Sequence, residues 1–146
     1  MKLAIDALIE GIERMGNPTA VGLDTQLAHL PEGFAGKVES FADAADALLR
    51  YNKALVDALC GIVPCAKVQI AYYEMYGVPG MRAFHETIEY AKSKGLVVIA
   101  DCKRNDIGAT AGGYAHAFLG ETPLGEGHDV GFPGGFSTNP KSVVLG

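Results

Sequence analysis

The chain has 146 residues, 49% of them hydrophobic and 20% charged, a balance that allows one buried core. A net charge of −5 without a dense Lys/Arg cluster argues against a nucleic-acid surface, although a local basic pocket for one phosphate is compatible with it. Cys60, Cys65 and Cys102 form no Cys-x-x-Cys pair and have no His at zinc-ligand spacing, so they read as reduced thiols of a cytoplasmic protein without a metal site.

Ile5, Leu8, Ile9, Ile12 and Met15 recur at helical spacing, with Gly16 where a C-terminal cap belongs. Asp6, Glu10 and Glu13 interrupt this apolar stretch, so it does not read as a signal peptide. No run approaches the roughly 20 apolar residues of a membrane span. Residues 19–24 (TAVGLD) read as a first strand ending in a carboxylate. Residues 40–62 read as a long helix, with Ser40 as N-cap, Leu48, Leu49, Leu55, Val56 and Leu59 along it, and Gly61 and Pro64 ending it. AKVQIAYY (66–73) reads as a second strand. A helix opened by Pro79 and Gly80 comes next, with Met81, Phe84, Ile88 and Ala91 on one face. LVVIADCK (96–103) reads as a third strand, and residues 109–119 as a short Ala/Gly-rich helix.

Alternating helices and strands force parallel strands with helical crossovers, so the class is α/β. From Gly120 the texture changes: residues 120–146 hold seven glycines and three prolines, and only VGF (130–132) and SVVL (142–145) have strand character. The expected organisation is a β/α unit over residues 1–120 and then a Gly/Pro-rich tail over 121–146.

Side chains alternate across a strand, so Val97, Ile99, Asp101 and Lys103 share one face of the third strand, and Lys67, Gln69 and Ala71 one face of the second. Asp24 ends the first. Burying a lone Lys or Asp costs several kcal/mol, roughly, and pairing need not recover it, so folding alone does not ask for this array. In parallel β/α proteins the carboxyl ends of the strands form the functional face, and these charges converge there. A lone Lys closing a strand is ordinarily a solvated surface residue. The spacing Asp-x-Lys-x-x-Asp after an apolar strand, with a Lys on the preceding strand, is far less ordinary, and a purely structural ion pair is the reading it competes with. His29, His85, His116 and His128 are scattered and read as surface or loop residues. Gly112-Gly113 lies inside a helical segment and lacks the frame of a phosphate-binding loop.

VGLDTQL (21–27), AKVQIAYYEMYG (66–77) and above all IADCKRNDIGATA (99–111) resemble successive blocks of the orotidine 5'-monophosphate decarboxylase family, nearest its longer bacterial branch. The resemblance covers about residues 1 to 120. It implies a TIM (β/α)8 barrel, here an incomplete barrel with three or four parallel strands, since a complete one needs eight strands and typically about 250 residues.

The resemblance also implies the reaction: loss of the C6 carboxylate of orotidine 5'-monophosphate to give uridine 5'-monophosphate, with no metal or organic cofactor. Lys103 would stabilise the developing carbanion as an ammonium and deliver the proton. Asp101 would lie near the leaving carboxylate and hold Lys67 and Lys103 in position, while Lys67 would bond Asp101 and the ribose. Asp24 would accept a ribose hydroxyl. Asp106 and Thr110 would reach into the neighbouring subunit's site, which implies a homodimer. FSTNP (136–140) resembles the family's fourth-strand T-x-N-P segment, with Asn139 as a substrate contact and Ser137 and Thr138 beside it. The family's phosphate-gripping loop and Arg come from later strands.

Three other readings remain. Magnesium-dependent sugar-phosphate decarboxylases and synthases of the same superfamily share the Asp-x-Lys-x-x-Asp core, but they carry a further acidic ligand on the second strand, where this chain has Lys67 and Gln69. A Schiff-base aldolase needs a neutral amine, against which the carboxylates flanking Lys103 work. A non-catalytic half-barrel or assembly module is the rival from another class, because remote phosphate binding commonly orients a substrate at its reacting centre. Neither a membrane nor a nucleic acid is an expected partner.

Overall fold

A computed structural model of the chain describes residues 3–122, 132–133 and 142–145. Its core is a parallel sheet of four strands in the order β1 (Ala20–Leu23), β2 (Cys65–Gln69), β3 (Val97–Asp101) and β6 (Ser142–Leu145). Helices α2 (Phe41–Leu59) and α4 (Gly77–Ser93) make the crossovers, α1 (Ala4–Met15) precedes the sheet, and α5 (Ala109–Phe118) comes after β3. A short pair, β4 (Glu121–Thr122) with β5 (Phe132–Pro133), is antiparallel and separate. β6 comes from the Gly/Pro-rich segment and pairs with β3 in the register Ile99 to Val143 and Asp101 to Leu145.

The crossover helices dock on one face of the sheet. Leu23, Ala66, Val68, Val98, Ala100 and Cys102 point there and are fully buried. They meet the apolar stripes of α2 (Ala45, Leu49, Val56) and α4 (Ala83, Phe84, Ile88, Ala91). Small residues on both stripes let the helices approach closely, and Arg82–Asp46 (2.9 Å) and Lys94–Asp57 (2.5 Å) close their solvent edges. Helix α2 begins where Ser40 predicts: its hydroxyl accepts the Asp43 amide at 3.2 Å and donates to the Asp43 carboxylate at 2.7 Å. That cap holds Asp43 below the ordinary carboxylate range, through the Ser40 hydroxyl first and the Glu39 amide second. Helix α1 ends on Gly16 in the left-handed region (φ 60°), and its buried Gly11 rests against Pro64 at the entry to β2.

Two expectations need correction. The second strand does not run through AKVQIAYY: it stops at Gln69, and Ile70 turns into the αR region to open the short helix α3 (Ala71–Glu74). Ala71 therefore does not share a strand face with Lys67. The apolar, aromatic run signalled burial rather than extension, because Ile70 and Tyr73 are buried under α4, with the Tyr73 ring edge-on to Phe84 at 5.5 Å. Helix α4 also starts before Pro79, at Gly77. Gly80 lets it pass over α3, since a Cβ there would collide with the Tyr73 carbonyl.

Candidate active site

The face of the sheet turned away from α2 and α4 carries Lys67 and Gln69 on β2 and Asp101 on β3, which the register sets side by side: Lys67 opposite Ile99, Gln69 opposite Asp101. Asp24 lies one residue beyond β1, on the same side as Gly22, which pairs with Lys67. All four strands are parallel, so these residues gather at one end of the sheet.

Asp24 takes the Lys67 ammonium with both oxygens, at 2.8 and 3.1 Å. On its other side Lys67 stands 3.8 Å from Asp101 Oδ2. Asp101 is buried and saturated: Oδ2 accepts Gln69 Nε2 at 2.8 Å, and Oδ1 accepts the Lys103 ammonium. Gln69 Oε1 lies 3.5 Å from Lys103 Nζ. The result is an alternating row, Asp24, Lys67, Asp101, Lys103, in which each buried charge has an opposite neighbour, the condition for keeping ions in a partly dry setting. The Lys103 side chain is 62% exposed, against 12% for Asp101, so the row ends in an ammonium open to a ligand.

Strand alternation does not aim Lys103, because β3 ends at Asp101 and Lys103 adopts φ 52°, the single positive-φ residue other than glycine among the described residues. That conformation is uncommon for a side chain of this size and is found where surrounding structure imposes it. Arg104 supplies part of it. Its guanidinium donates to the Cys102 carbonyl at 2.8 Å and to Glu74 Oε1 at 2.6 Å, fastening the turn after β3 to α3.

Asp106 and Thr110 are exposed and lie beyond that turn, and their side chains form no hydrogen bond or ion pair with the described residues. The structure does not bring them to the charged row. Asn139, Ser137 and Thr138 lie outside the described residues. The thiols of Cys65 and Cys102 are pushed up to about 11 by burial, which removes them as nucleophiles at neutral pH. A cavity of about 500 Å3, lined by Gln26, Leu27, Ala28, Tyr72, Met75 and Tyr76, opens beside the ends of β1 and β2. Among the described residues no cluster of His, Cys, Asp or Glu has metal-ligand geometry.

Sequence reasoning missed the part played by Gln69, the Arg104–Glu74 clamp, and a buried polar chain from Thr25 through Asn52 to Tyr73. Only Asn52 had left a signal, a carboxamide in the apolar stripe between Leu48 and Val56.

The sequence profile of the orotidine 5'-phosphate decarboxylase / HUMPS family matches residues 20–122. The chain belongs to this family. Its relatives include orotidine 5'-phosphate decarboxylases of Clostridium botulinum strain Loch Maree, 46% identical over 115 residues, and of Clostridium acetobutylicum, 44% identical over 115 residues. Each of these matches takes in 79% of this chain and 39% of the relative, so the chain spans about two fifths of the length of the curated relatives it matches. Among solved structures, a Streptomyces avermitilis chain assigned as an orotidine 5'-phosphate decarboxylase superposes with a TM-score of 0.69 at 25% identity, over 99% of this chain and 52% of that one. The Leishmania donovani OMP decarboxylase superposes with a TM-score of 0.61 at 27% identity, over 80% of this chain and 39% of that one. The fold is thus that of these family barrels, present here as part of a barrel, and no helix among the described residues is long and apolar enough to cross a membrane.

Proposed function

We propose that this chain supplies the charged half of an active site that decarboxylates orotidine 5'-monophosphate to uridine 5'-monophosphate, in the cytoplasm and without metal or organic cofactor. The observation that carries the reading is the row Asp24, Lys67, Asp101, Lys103, closed by ion pairs at one end of a parallel sheet and ending in an accessible ammonium. Loss of CO2 leaves an electron pair on C6. Lys103 lies at the open end of the row, where its ammonium stabilises that pair and hands it a proton. Asp101, fixed by Gln69 and both lysines, keeps Lys103 in place and stands where the departing carboxylate would lie, so its repulsion of the substrate is relieved as CO2 leaves. Lys67 and Asp24 take the ribose hydroxyls.

In this reading residues 1–120 are the N-terminal half of the barrel, and the segment 121–146 contributes its fourth strand, with Asn139 a substrate contact. Asp106 and Thr110, exposed and without partners among the described residues, serve the site of a second subunit in a homodimer. The phosphate grip belongs to the half of the barrel that this stretch of sequence does not correspond to.

The test monitors orotate absorbance with the chain alone and with the C-terminal half of a clostridial relative added in trans. We expect turnover in the complemented sample that is unchanged by EDTA and abolished by Lys103→Ala, with uridine monophosphate binding retained. Turnover that survives Lys103→Ala, or that EDTA removes, would sink the proposal.

A further inference from the structure

We propose that Asn52 is a positioning residue that anchors the chain at the exit of β1 and so holds the Asp24 carboxylate against Lys67. The β1–β2 ladder runs only to Leu23 and Val68, so Asp24 and Thr25 lie beyond its last pair. The core secures them. Thr25, 9% exposed, donates its hydroxyl to Asn52 Oδ1 at 2.5 Å, and Asn52, fully buried on α2, donates Nδ2 to the Tyr73 hydroxyl at 2.6 Å.

The chain of donors runs one way. Thr87 of α4 is spent on its own helix, donating its hydroxyl to the Ala83 carbonyl at 2.7 Å. Thr25 and Asn52 thus each donate to a buried acceptor, and the loop after β1 is tied through α2 to α3, which the edge-on contact of Tyr73 with Phe84 joins to α4. A core built only for stability has no need of this arrangement: replacing all its polar groups with apolar ones of the same shape is nearly neutral, whereas removing one member strands the others. Its evident product is placement. Thr25 is drawn into the core, and Asp24, one residue earlier, is left on the opposite side facing Lys67 with both oxygens. Burial raises the Tyr73 hydroxyl above its ordinary range, so it meets the Asn52 amide as a neutral acceptor.

The inference rests on the proposed ribose contact of Asp24, and two measurements separate the two ideas. The first is 15N relaxation on the 146-residue chain, comparing wild type with Asn52→Leu, Thr25→Val and Thr25→Ser. We expect the amides of Asp24, Thr25 and Gln26 to lose order in the first two variants, while those of β2 and β3 keep theirs, and Thr25→Ser to restore it. Should Asn52→Leu fail to fold, Thr25→Val carries the comparison, since it removes a single proton donor at nearly constant volume. An Asp24 amide as ordered in Thr25→Val as in wild type overturns the proposal, as does a loss spread evenly over the sheet. The second measurement is calorimetric, with uridine monophosphate and its 2',3'-dideoxy analogue. Wild type and Thr25→Ser should prefer the ribonucleotide, and Thr25→Val should narrow that preference several-fold. A wild-type chain without any preference removes the ribose contact from the proposed function and leaves Asn52 to be judged by the relaxation data.

Discussion

The exit of β1 and the exit of β3 present charges to the same site, yet they are held by different means. At β1, Asp24 stands next to a residue drawn into a dry core, where Thr25, Asn52, Tyr73 and Thr87 are all buried. At β3, Lys103 depends on an exposed turn, a positive φ and the Arg104–Glu74 clamp, and the next helix, α5, buries only Phe118. A hydrogen bond closed off from water is hard to open without undoing the packing around it, whereas exposed ion pairs yield at little cost. The β1 corner therefore behaves as a fixed wall and the β3 exit as the adjustable part, which suits a site whose proposed proton donor must meet a changing substrate.

The largest expected effect comes from attacking the wall. Phe84 is fully buried and packs edge-on against Tyr73, so Phe84→Ala should cost about 3–5 kcal/mol in denaturant unfolding. Ile107, 89% exposed next to Asp106, should tolerate the same change within about 0.5 kcal/mol. Comparable losses at the two positions would erase the contrast.

The contrast also shows how far the sequence could be read. The parallel α/β order and the helix caps at Ser40 and Gly16 were legible because they depend on spacing within one element. The meeting of Lys67 and Asp101 was legible for a similar reason: a period of two fixes a face, and parallel neighbours inherit it. The end of β2 was not. Ile70, Tyr72 and Tyr73 favour strands by composition, and they are bent into α3 by the docking of Tyr73 against Phe84 and Asn52, partners that no local pattern brings together. Lys103 was found by alternation, although the structure reaches the same contact through a left-handed residue. β6 was only one of two strand-like stretches in a glycine-rich segment, and its pairing with β3 is a long-range event.

A smaller effect, graded by pH, probes both regions at once. The buried thiols of Cys65 and Cys102 ionise near 9.0 when unfolded but only at about 11 when folded. Between those values the unfolded chain releases protons that the folded chain retains, so stability should be level up to about pH 9 and fall as pH rises through about 11. The Tyr73 hydroxyl, raised by burial, adds a fall of the same sign. Urea unfolding at about pH 8 and about pH 10 measures this, and Cys65→Ala combined with Cys102→Ala should make the fall shallower. Stability that rises over this interval would contradict the burial of these groups.

The smallest expected effect strengthens the adjustable side. Gly112 and Gly113 sit inside α5, are exposed, and would meet nothing within 4 Å if given a Cβ. Neither has a positive φ, so alanine fits the existing backbone, and each change should stabilise the helix by about 0.5–1 kcal/mol by reducing the freedom of the unfolded chain. Hydrogen exchange should then slow along α5 and leave β1 and β2 untouched, because the β1 corner draws its order from the core and not from the turn and helix beyond β3. Slowing that spreads to Asp24 and Lys67 would mean that the two exits move together. In that case the order of the β1 corner would depend on α5 as well as on Asn52, and the division between a fixed wall and an adjustable exit would have to be abandoned.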